Sequence, residues 1–420
     1  MKKLKLLVTI SFLFLAFHTH AQNWYPVTSG TTRNLNTIHF PSPSVGYIGG
    51  DDSLLLKTTD GGLTWNPLNL SGIPNFGFNA DILNIQFLTD SIGYMTVGPY
   101  SNSYKTVDGG LNWTVSFFWG INCYNQGLFF FDQNNGFIGG AGCFQGELIS
   151  KLTNGVWSAA TMNSSTWSSN LIVDIDFYNT QLGLAASSSG LIYRTTDGGF
   201  TWDSIPSHPN MNPITSVLMI NDTLAYASYK ALNTGFGLYI TTDGGLSWAE
   251  DFNSATFFYP DFLALHQSGN GEIFSGGYSP GSQTGLIFRS PGDIVTWNYD
   301  ALAQKINDIS SYNDSIVFAV GDSGAIYVNK ILIAQSVFEN PSPSLTIDVF
   351  PNPAQQFIQL SLPEGFETKG ALVSIYAISG QLITRSTYSS VVDISTFSTG
   401  KYFLEIRNQK IMATGKFIVD

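Results

Sequence analysis

Charge is scarce in this chain: 18 Lys and Arg and 30 Asp and Glu among 420 residues. That is too little for long solvated helices or for disorder, both of which depend on charged and polar side chains. Basic residues are the scarcest. Between Gln22 and Asn340, 9 Lys and Arg stand against 24 Asp and Glu, a net charge of −15, and the remainder is near neutral. Nucleic acid and anionic membrane both require basic patches, so neither is expected as a partner. Cysteine is nearly absent, with Cys123 and Cys143 alone, so a metal or redox centre lacks the partners it needs. No cofactor and no metal are expected. The apolar run near the start, about a dozen residues, is too short to span a bilayer, no other segment could cross a membrane, and no stretch keeps a helical period.

Glycine and aromatic residues are what the chain has instead, with 42 Gly and 14% Phe, Trp and Tyr. Such a composition suits many short strands joined by tight turns. One octet, Thr-x-Asp-Gly-Gly-x-x-Trp, occurs at Thr58–Trp65, Thr106–Trp113, Thr195–Trp202 and Thr241–Trp248. Its Asp and Thr side chains can bond nearby backbone groups, and Gly supplies the positive φ of a short turn. Three residues past the second Gly, the Trp is placed to pack between sheets. Burying it removes roughly 150–250 Å² from water, about 4–6 kcal/mol as an upper bound. Asp60, Trp65, Asp108, Trp113, Asp197, Trp202, Asp243 and Trp248 are therefore read as structural.

Tryptophans at 24, 65, 113, 157, 202, 248 and 297 are spaced 41 to 49 residues apart, the length of a four-stranded propeller blade. A pair of strands precedes each, as in Ile38-His39-Phe40 followed by Gly46-Tyr47-Ile48. The turns at Thr153–Trp157 and Ser290–Trp297 are worn versions of the octet, and a last set, Ile306–Val328, has three strands and no Trp. The segment Asn23–Val27 supplies the missing outer strand, which would close a ring and remove its open edges. The expected fold is all-β: a seven-bladed β-propeller (six or eight blades being the alternatives) followed by a small immunoglobulin-like β-sandwich. The division reads 1–21 signal peptide, 22–335 propeller, 336–344 Pro/Ser linker and 345–420 C-terminal domain. The signal peptide rests on Lys2, Lys3 and Lys5, the apolar run Leu6–Phe17 and a cleavage site at Thr19-His20-Ala21.

Two resemblances extend this. The octet resembles the Asp-box, or bacterial neuraminidase repeat, which in that family is a turn staple away from the catalytic face. Blades such as Val45–Gly50 with Lys57–Trp65 are most similar to the photosystem II assembly-factor propellers, which implies the fold and a habit of binding protein. The end of the chain resembles the C-terminal sorting domain of the type IX secretion system of Bacteroidetes. It does so through Pro351, Asn352, Pro353 and Ala354, Ile378–Leu382, Ser398–Phe403 with Gly400 and Tyr402, and the closing Lys416–Val419. That resemblance implies two partners, the type IX translocon and a sorting protease, and export across the outer membrane. The passenger is then cell-surface attached or released.

In a propeller the loops between blades share one face with the loops between second and third strands. Here those loops carry Phe76, Phe78, Phe118, Trp119, Tyr124, Trp167, Phe258 and Tyr259. These rings could stack on sugar or anchor a protein, or simply plug the loops onto the barrel top. Cys123 and Cys143 fall on the same face, and an exported pair favours a disulfide. Inner-strand starts carry a polar ring: Thr37, Asn84, Asp174, Ser216 and Asp308, with His39, Gln86 and Asp176 two positions on. Asp174 and Asp176 share a strand face about 7 Å apart, a spacing compatible with acid–base work on a glycoside, although any i, i+2 polar pair looks alike. His39 and His266 read as satisfied interior histidines. A sialidase resembles an Arg triad, and the propeller region has Arg33, Arg194 and Arg289 alone; Arg194 and Arg289 look like turn-flanking surface residues. Xyloglucanases pair two such propellers, and one is present here. The expected function is an exported binding module for a glycan or a surface protein. The alternative is a secreted carbohydrate-active enzyme using Asp174 and Asp176.

Overall fold

In a computed structural model the described residues are 24–71, 73, 80–98, 102–118, 124–142, 146–163, 170–206, 213–230, 237–250, 261–291, 297–312, 316–330, 345–362, 366, 368, 371–377, 382–407 and 412–420. Among them the regular structure is all-β, apart from one 3₁₀ turn at Asp322–Gly324. The expected signal peptide and linker lie outside the described residues. The chain forms two compact units, Met1–Ile333 and Ala334–Asp420.

The first unit opens with β1 (Tyr25–Val27). Its first sheet is β2 (Leu35–His39), β3 (Gly46–Gly50), β4 (Leu54–Thr58) and β5 (Asn66–Pro67). The second is β6 (Asp81–Phe87), β7 (Gly93–Gly98), β8 (Asn102–Thr106) and β9 (Thr114–Phe118). The third is β10 (Tyr124–Asp132), β11 (Asn135–Gly142), β12 (Gly146–Thr153) and β13 (Val156–Ala159). The short β14 (Thr161–Asn163) then crosses to the fourth sheet, β15 (Ile172–Phe177), β16 (Gly183–Ser187), β17 (Leu191–Thr195) and β18 (Thr201–Pro206). There β14 adds in parallel to β18 as a fifth strand. No pattern in so short a segment announces it.

The fifth sheet is β19 (Ile214–Met219), β20 (Ala225–Tyr229), β21 (Leu238–Thr241) and β22 (Ala249–Glu250). The sixth is β23 (Asp261–Gln267), β24 (Ile273–Ser279), β25 (Thr284–Ser290) and β26 (Asn298–Leu302). The last is β27 (Ile306–Ser311), β28 (Val317–Gly321) and β29 (Ile326–Val328), whose fourth strand is β1, antiparallel to β29 with Tyr25 opposite Val328. The two ends of the unit are thus zipped together, and both edges that the pairing covers are removed.

The octet turns are built alike. In the first, Thr58 Oγ1 donates to Asp60 Oδ1 (2.7 Å) and accepts the Gly62 amide (2.9 Å), and Asp60 Oδ1 accepts the Thr64 amide (3.0 Å). Gly61 and Gly62 sit at φ 72 and 90, where a side chain would be strained. A Cβ on Gly62 would also stand 2.5 Å from the Phe318 ring of the preceding sheet. The worn third turn solves the same problem with Asn154 and Gly155 at φ 50 and 82, the left-handed pair of a two-residue hairpin.

The tryptophans then wedge between sheets. Tyr47 stacks on Phe87 (3.5 Å), Tyr94 on Phe130 (3.6 Å) and Phe137 on Phe177 (4.7 Å), each pair joining a second strand to the end of the next innermost strand. Trp113, Trp157 and Trp202 stand edge-on to Phe87, Phe130 and Phe177, at 84°, 87° and 83°. Trp65, Trp113 and Trp202 are buried, whereas Trp157, Trp248 and Trp297 are partly exposed.

The second unit has two sheets. One holds β30 (Leu345–Thr346), β37 (Met412–Val419), β36 (Gly400–Arg407), β33 (Leu372–Ala377) and β34 (Leu382–Thr387); the other holds β31 (Asp348–Phe350), β32 (Phe357–Ser361) and β35 (Val391–Asp393). Ile358 and Leu360 from one sheet and Ile375, Leu404, Ile406 and Phe417 from the other share its core. Tyr402 packs there too, its ring 5.4 Å from Phe417 and its hydroxyl donating to the Ser398 carbonyl. Asn352 ties the last strand down: its Oδ1 accepts the Ile418 amide (2.9 Å) and its Nδ2 donates to the Lys416 carbonyl (3.3 Å). Pro351 and Pro353, on either side, both follow cis peptide bonds.

Candidate functional site

Strands β2, β6, β10, β15, β19, β23 and β27 line a cavity of about 290 Å³. Its walls include Asn36, Thr37, Asn84, Gln126, Asp174 and Asp308, all near strand starts. The polar ring read from the sequence therefore exists as a ring.

Its carboxylates are occupied by neighbouring sheets. Asp174 Oδ2 accepts the Ser216 hydroxyl (2.7 Å) and the Val217 amide (3.0 Å), both on β19, while Oδ1 accepts the Ile175 amide (2.9 Å). Asp176 Oδ2 accepts the Met219 amide (2.7 Å), and Asp308 Oδ2 accepts the Ile38 amide (2.8 Å). Gln86 bonds both backbone groups of Phe130, and His39 Nδ1 accepts the Phe87 amide. His266 Nε2 meets Ser311 Oγ at 2.7 Å. Each group joins one innermost strand to its neighbour in the ring. Adjacent sheets have no common backbone ladder, so these side chains supply the missing hydrogen bonds.

Burial dominates their electrostatics. It pushes Asp174 up to about 7, with Asp176 adding to the effect, and raises Asp176 and Asp308 to about 6. It lowers His39 and His266 to about 4. The turn carboxylates go the other way. Hydrogen bonds from Ser247 and Thr201, offset in part by desolvation, hold Asp243 and Asp197 down at about 2.

Of the eight candidate aromatic residues, Tyr124 is fully described. It starts β10 and is 45% exposed. Phe118 closes β9. Phe76, Phe78, Trp119, Trp167, Phe258 and Tyr259 lie outside the described residues, as do Cys123 and Cys143. Among the described residues no group of three or more His, Cys, Asp or Glu could hold a metal ion.

The arginines are dispersed. Arg33 faces Asp52 at 3.8 Å, and Arg289 on β25 faces Glu272 at 3.6 Å. Arg194, expected to be a surface residue, is partly buried and donates to the Gly244 carbonyl of the next sheet's turn (2.7 Å). Lys57 does the same to Gly109 (3.0 Å). Both cations therefore act as inter-sheet ties, because the carbonyls of these tight turns lack a strand partner. One buried acid was not anticipated: Glu147 on β12 accepts the hydroxyls of Ser187 and Tyr193 on the fourth sheet. A lone Glu beside Gly gives no sequence signal for such a contact.

Comparison with known proteins bears on both units. Residues 348–420 match the family model of the secretion system C-terminal sorting domain, and residues 16–115 match that of the photosynthesis system II assembly factor YCF48. No curated protein matches the chain. Among solved structures, YCF48 bound to a D1 peptide is similar with a TM-score of 0.55 and 17% identity, over 73% of this chain and 96% of that one. YCF48 from Cyanidioschyzon merolae gives 0.55 and 19%, over 73% and 98%. The GH74 xyloglucanase from Xanthomonas campestris gives 0.56 and 14%, over 81% and 59%. At such identities the likeness is one of fold: the first unit is a β-propeller with neuraminidase-type repeats. The second is a type IX sorting domain, which marks the chain for export to the cell surface or extracellular space.

Proposed function

We propose that this exported protein is a non-catalytic binding module that presents a glycan- or protein-binding face at the mouth of its central channel. In this reading the first unit is a seven-bladed propeller over 22–335, closed by β1 on β29, behind a signal peptide at 1–21 and ahead of a linker at 336–344. The domain over 345–420 is an immunoglobulin-like sandwich addressed to the type IX translocon and trimmed by a sorting protease, with the passenger then attached to the surface or released.

The observation that carries the non-catalytic reading is the engagement of Asp174 and Asp176 by the Val217 and Met219 amides. A general acid or nucleophile needs a carboxyl group free to move onto the reacting atom, and both of these are fixed in place by backbone amides of the next sheet. Sialidase chemistry is disfavoured by Arg33, Arg194 and Arg289, whose recorded partners lie apart from one another. The likeness to a GH74 enzyme keeps a carbohydrate-active enzyme as the second reading.

Incubation of the protein with a polysaccharide panel tests the choice. No release of reducing ends is expected, together with retention on a glycan array or capture of a surface protein. Turnover that disappears in Asp174→Ala would establish the enzyme and overturn the binding-module reading.

A further inference from the structure

We infer that the cavity at the channel mouth seats the end of a neutral, hydroxyl-rich glycan against Asn84, Gln126 and Asp174, an assignment that rests on the binding-module reading. It follows from a break in the ring of staples. At one recurring position, Asn36 and Asn307 donate to the carbonyls of Ile82 and Leu35 (3.2 and 2.9 Å), and Thr215 donates to that of Phe262 (2.7 Å). At the next position, Asp174 and Asp308 accept the amides of Val217 and Ile38. Strands β10 and β23 break both rules, β23 with the apolar Leu263 and Ala264 and β10 with a polar residue. The pairing of Leu128 with Ile138, matching that of Ile38 with Ile48, places Gln126 at the first position and Gly127 at the second.

Among the described residues, the side-chain amide of Gln126 has no hydrogen-bond partner, and Gly127 has no side chain to offer. Asn84, at the second position of β6, is likewise unpaired among the described residues. Strands β6, β10 and β15 are consecutive in the ring, so Asn84, Gln126 and Asp174 line one continuous wall of the cavity. On the opposite arc Asn36, Thr215, Asn307 and Asp308 are already held as staples, and β23 presents only the apolar Leu263 and Ala264.

The chemistry of that wall selects the ligand. Two amides offer donors and acceptors side by side, and Asp174 Oδ1, holding one backbone amide, retains acceptor capacity. Vicinal hydroxyls both donate and accept, and so match it. An anion would meet Asp174 and Asp308 within a region of net charge −15, and an apolar ligand would leave both amides desolvated and unpaired. Pockets for drug-sized ligands run roughly 300–1,000 Å³, so a cavity of about 290 Å³ takes a terminal ring rather than a chain. Tyr124, exposed and two residues before Gln126 on the same strand, offers an aromatic ring for the apolar face of a sugar.

The test uses the full chain on an array of neutral oligosaccharides, followed by calorimetric titration with those retained. Asn84→Leu and Gln126→Leu should each weaken binding at least tenfold while leaving the melting temperature within a few degrees. Unchanged affinity in Asn84→Leu and Gln126→Leu variants that fold normally would overturn the site and leave a binding module with its face elsewhere. Retention of no neutral oligosaccharide would overturn the ligand class, and capture of a surface protein by the same preparation would still uphold the broader reading.

Discussion

The carboxylate of Asp174 and the backbone amide of Val217 belong to different sheets and meet at 3.0 Å. The same relation joins Asp176 to Met219 and Asp308 to Ile38. A ring of radial sheets is held at its rim by β1 on β29 and at its centre by these side chains.

That placement gives the central ring a pH dependence. Asp174, Asp176 and Asp308 are raised to between about 6 and about 7 in the folded chain, against ~3.9 unfolded. Their stabilising contribution is therefore complete below about pH 4 and is lost as pH rises through 6 to 7. His39 and His266, lowered to about 4, oppose this: their contribution is present above ~6.5 and is lost as pH falls toward 4. Asp174→Asn removes one carboxyl from the balance. Relative to wild type, the variant should gain roughly 1–3 kcal/mol between pH 5 and pH 8, less than the full shift because the cavity admits water. Urea denaturation at both pH values reads the difference. A gap that does not change with pH would mean that Asp174 stays ionised throughout.

The turns offer a cleaner contrast. Gly62 and Gly155 both have positive φ, 90 and 82, yet a Cβ on Gly62 would lie 2.5 Å from Phe318, whereas one on Gly155 would come no nearer than 3.9 Å to Asn134. Gly155→Ala should cost about 1 kcal/mol, the backbone penalty alone. Gly62→Ala should cost roughly 2–4 kcal/mol, because overpacking against a buried ring adds to it. Equal losses in chemical denaturation would mean that the Phe318 ring swings aside freely.

What the residues announced and what they hid divide along a physical line. The indole period and the Thr-x-Asp-Gly-Gly turns are local, so the repeat was legible, and so was the pairing of Tyr25–Val27 with the last set of strands. Thr37, Asn84, Asp174 and Asp308 could be placed on a common ring, yet the task of Asp174 and Asp308 depends on which backbone group the next sheet presents, a contact across 43 and 270 residues. Arg194 looked like a surface cation for the same reason. In the second unit β37 begins at Met412, well before the closing motif, and β34 and β35 carry too weak an alternation to stand out.

Asn352 provides the test of how the sorting unit is read. Its side chain grips the last strand twice, at Ile418 and Lys416, and Ala354 adds two backbone bonds to Ile418 and Asp420 beside it. Asn352→Ala removes the side-chain pair and should cost the unit about 1–2 kcal/mol. Lys416→Ala takes away an exposed side chain whose backbone alone is used, and should leave stability within ~0.5 kcal/mol. Both variants are then followed by cell fractionation. If the translocon reads the folded end of the chain, Asn352→Ala lowers the exported fraction and Lys416→Ala does not. If it reads the cationic side chain, the order reverses while the stabilities stay as stated. Export of both variants at the wild-type level would mean that neither the anchored strand nor Lys416 carries the address.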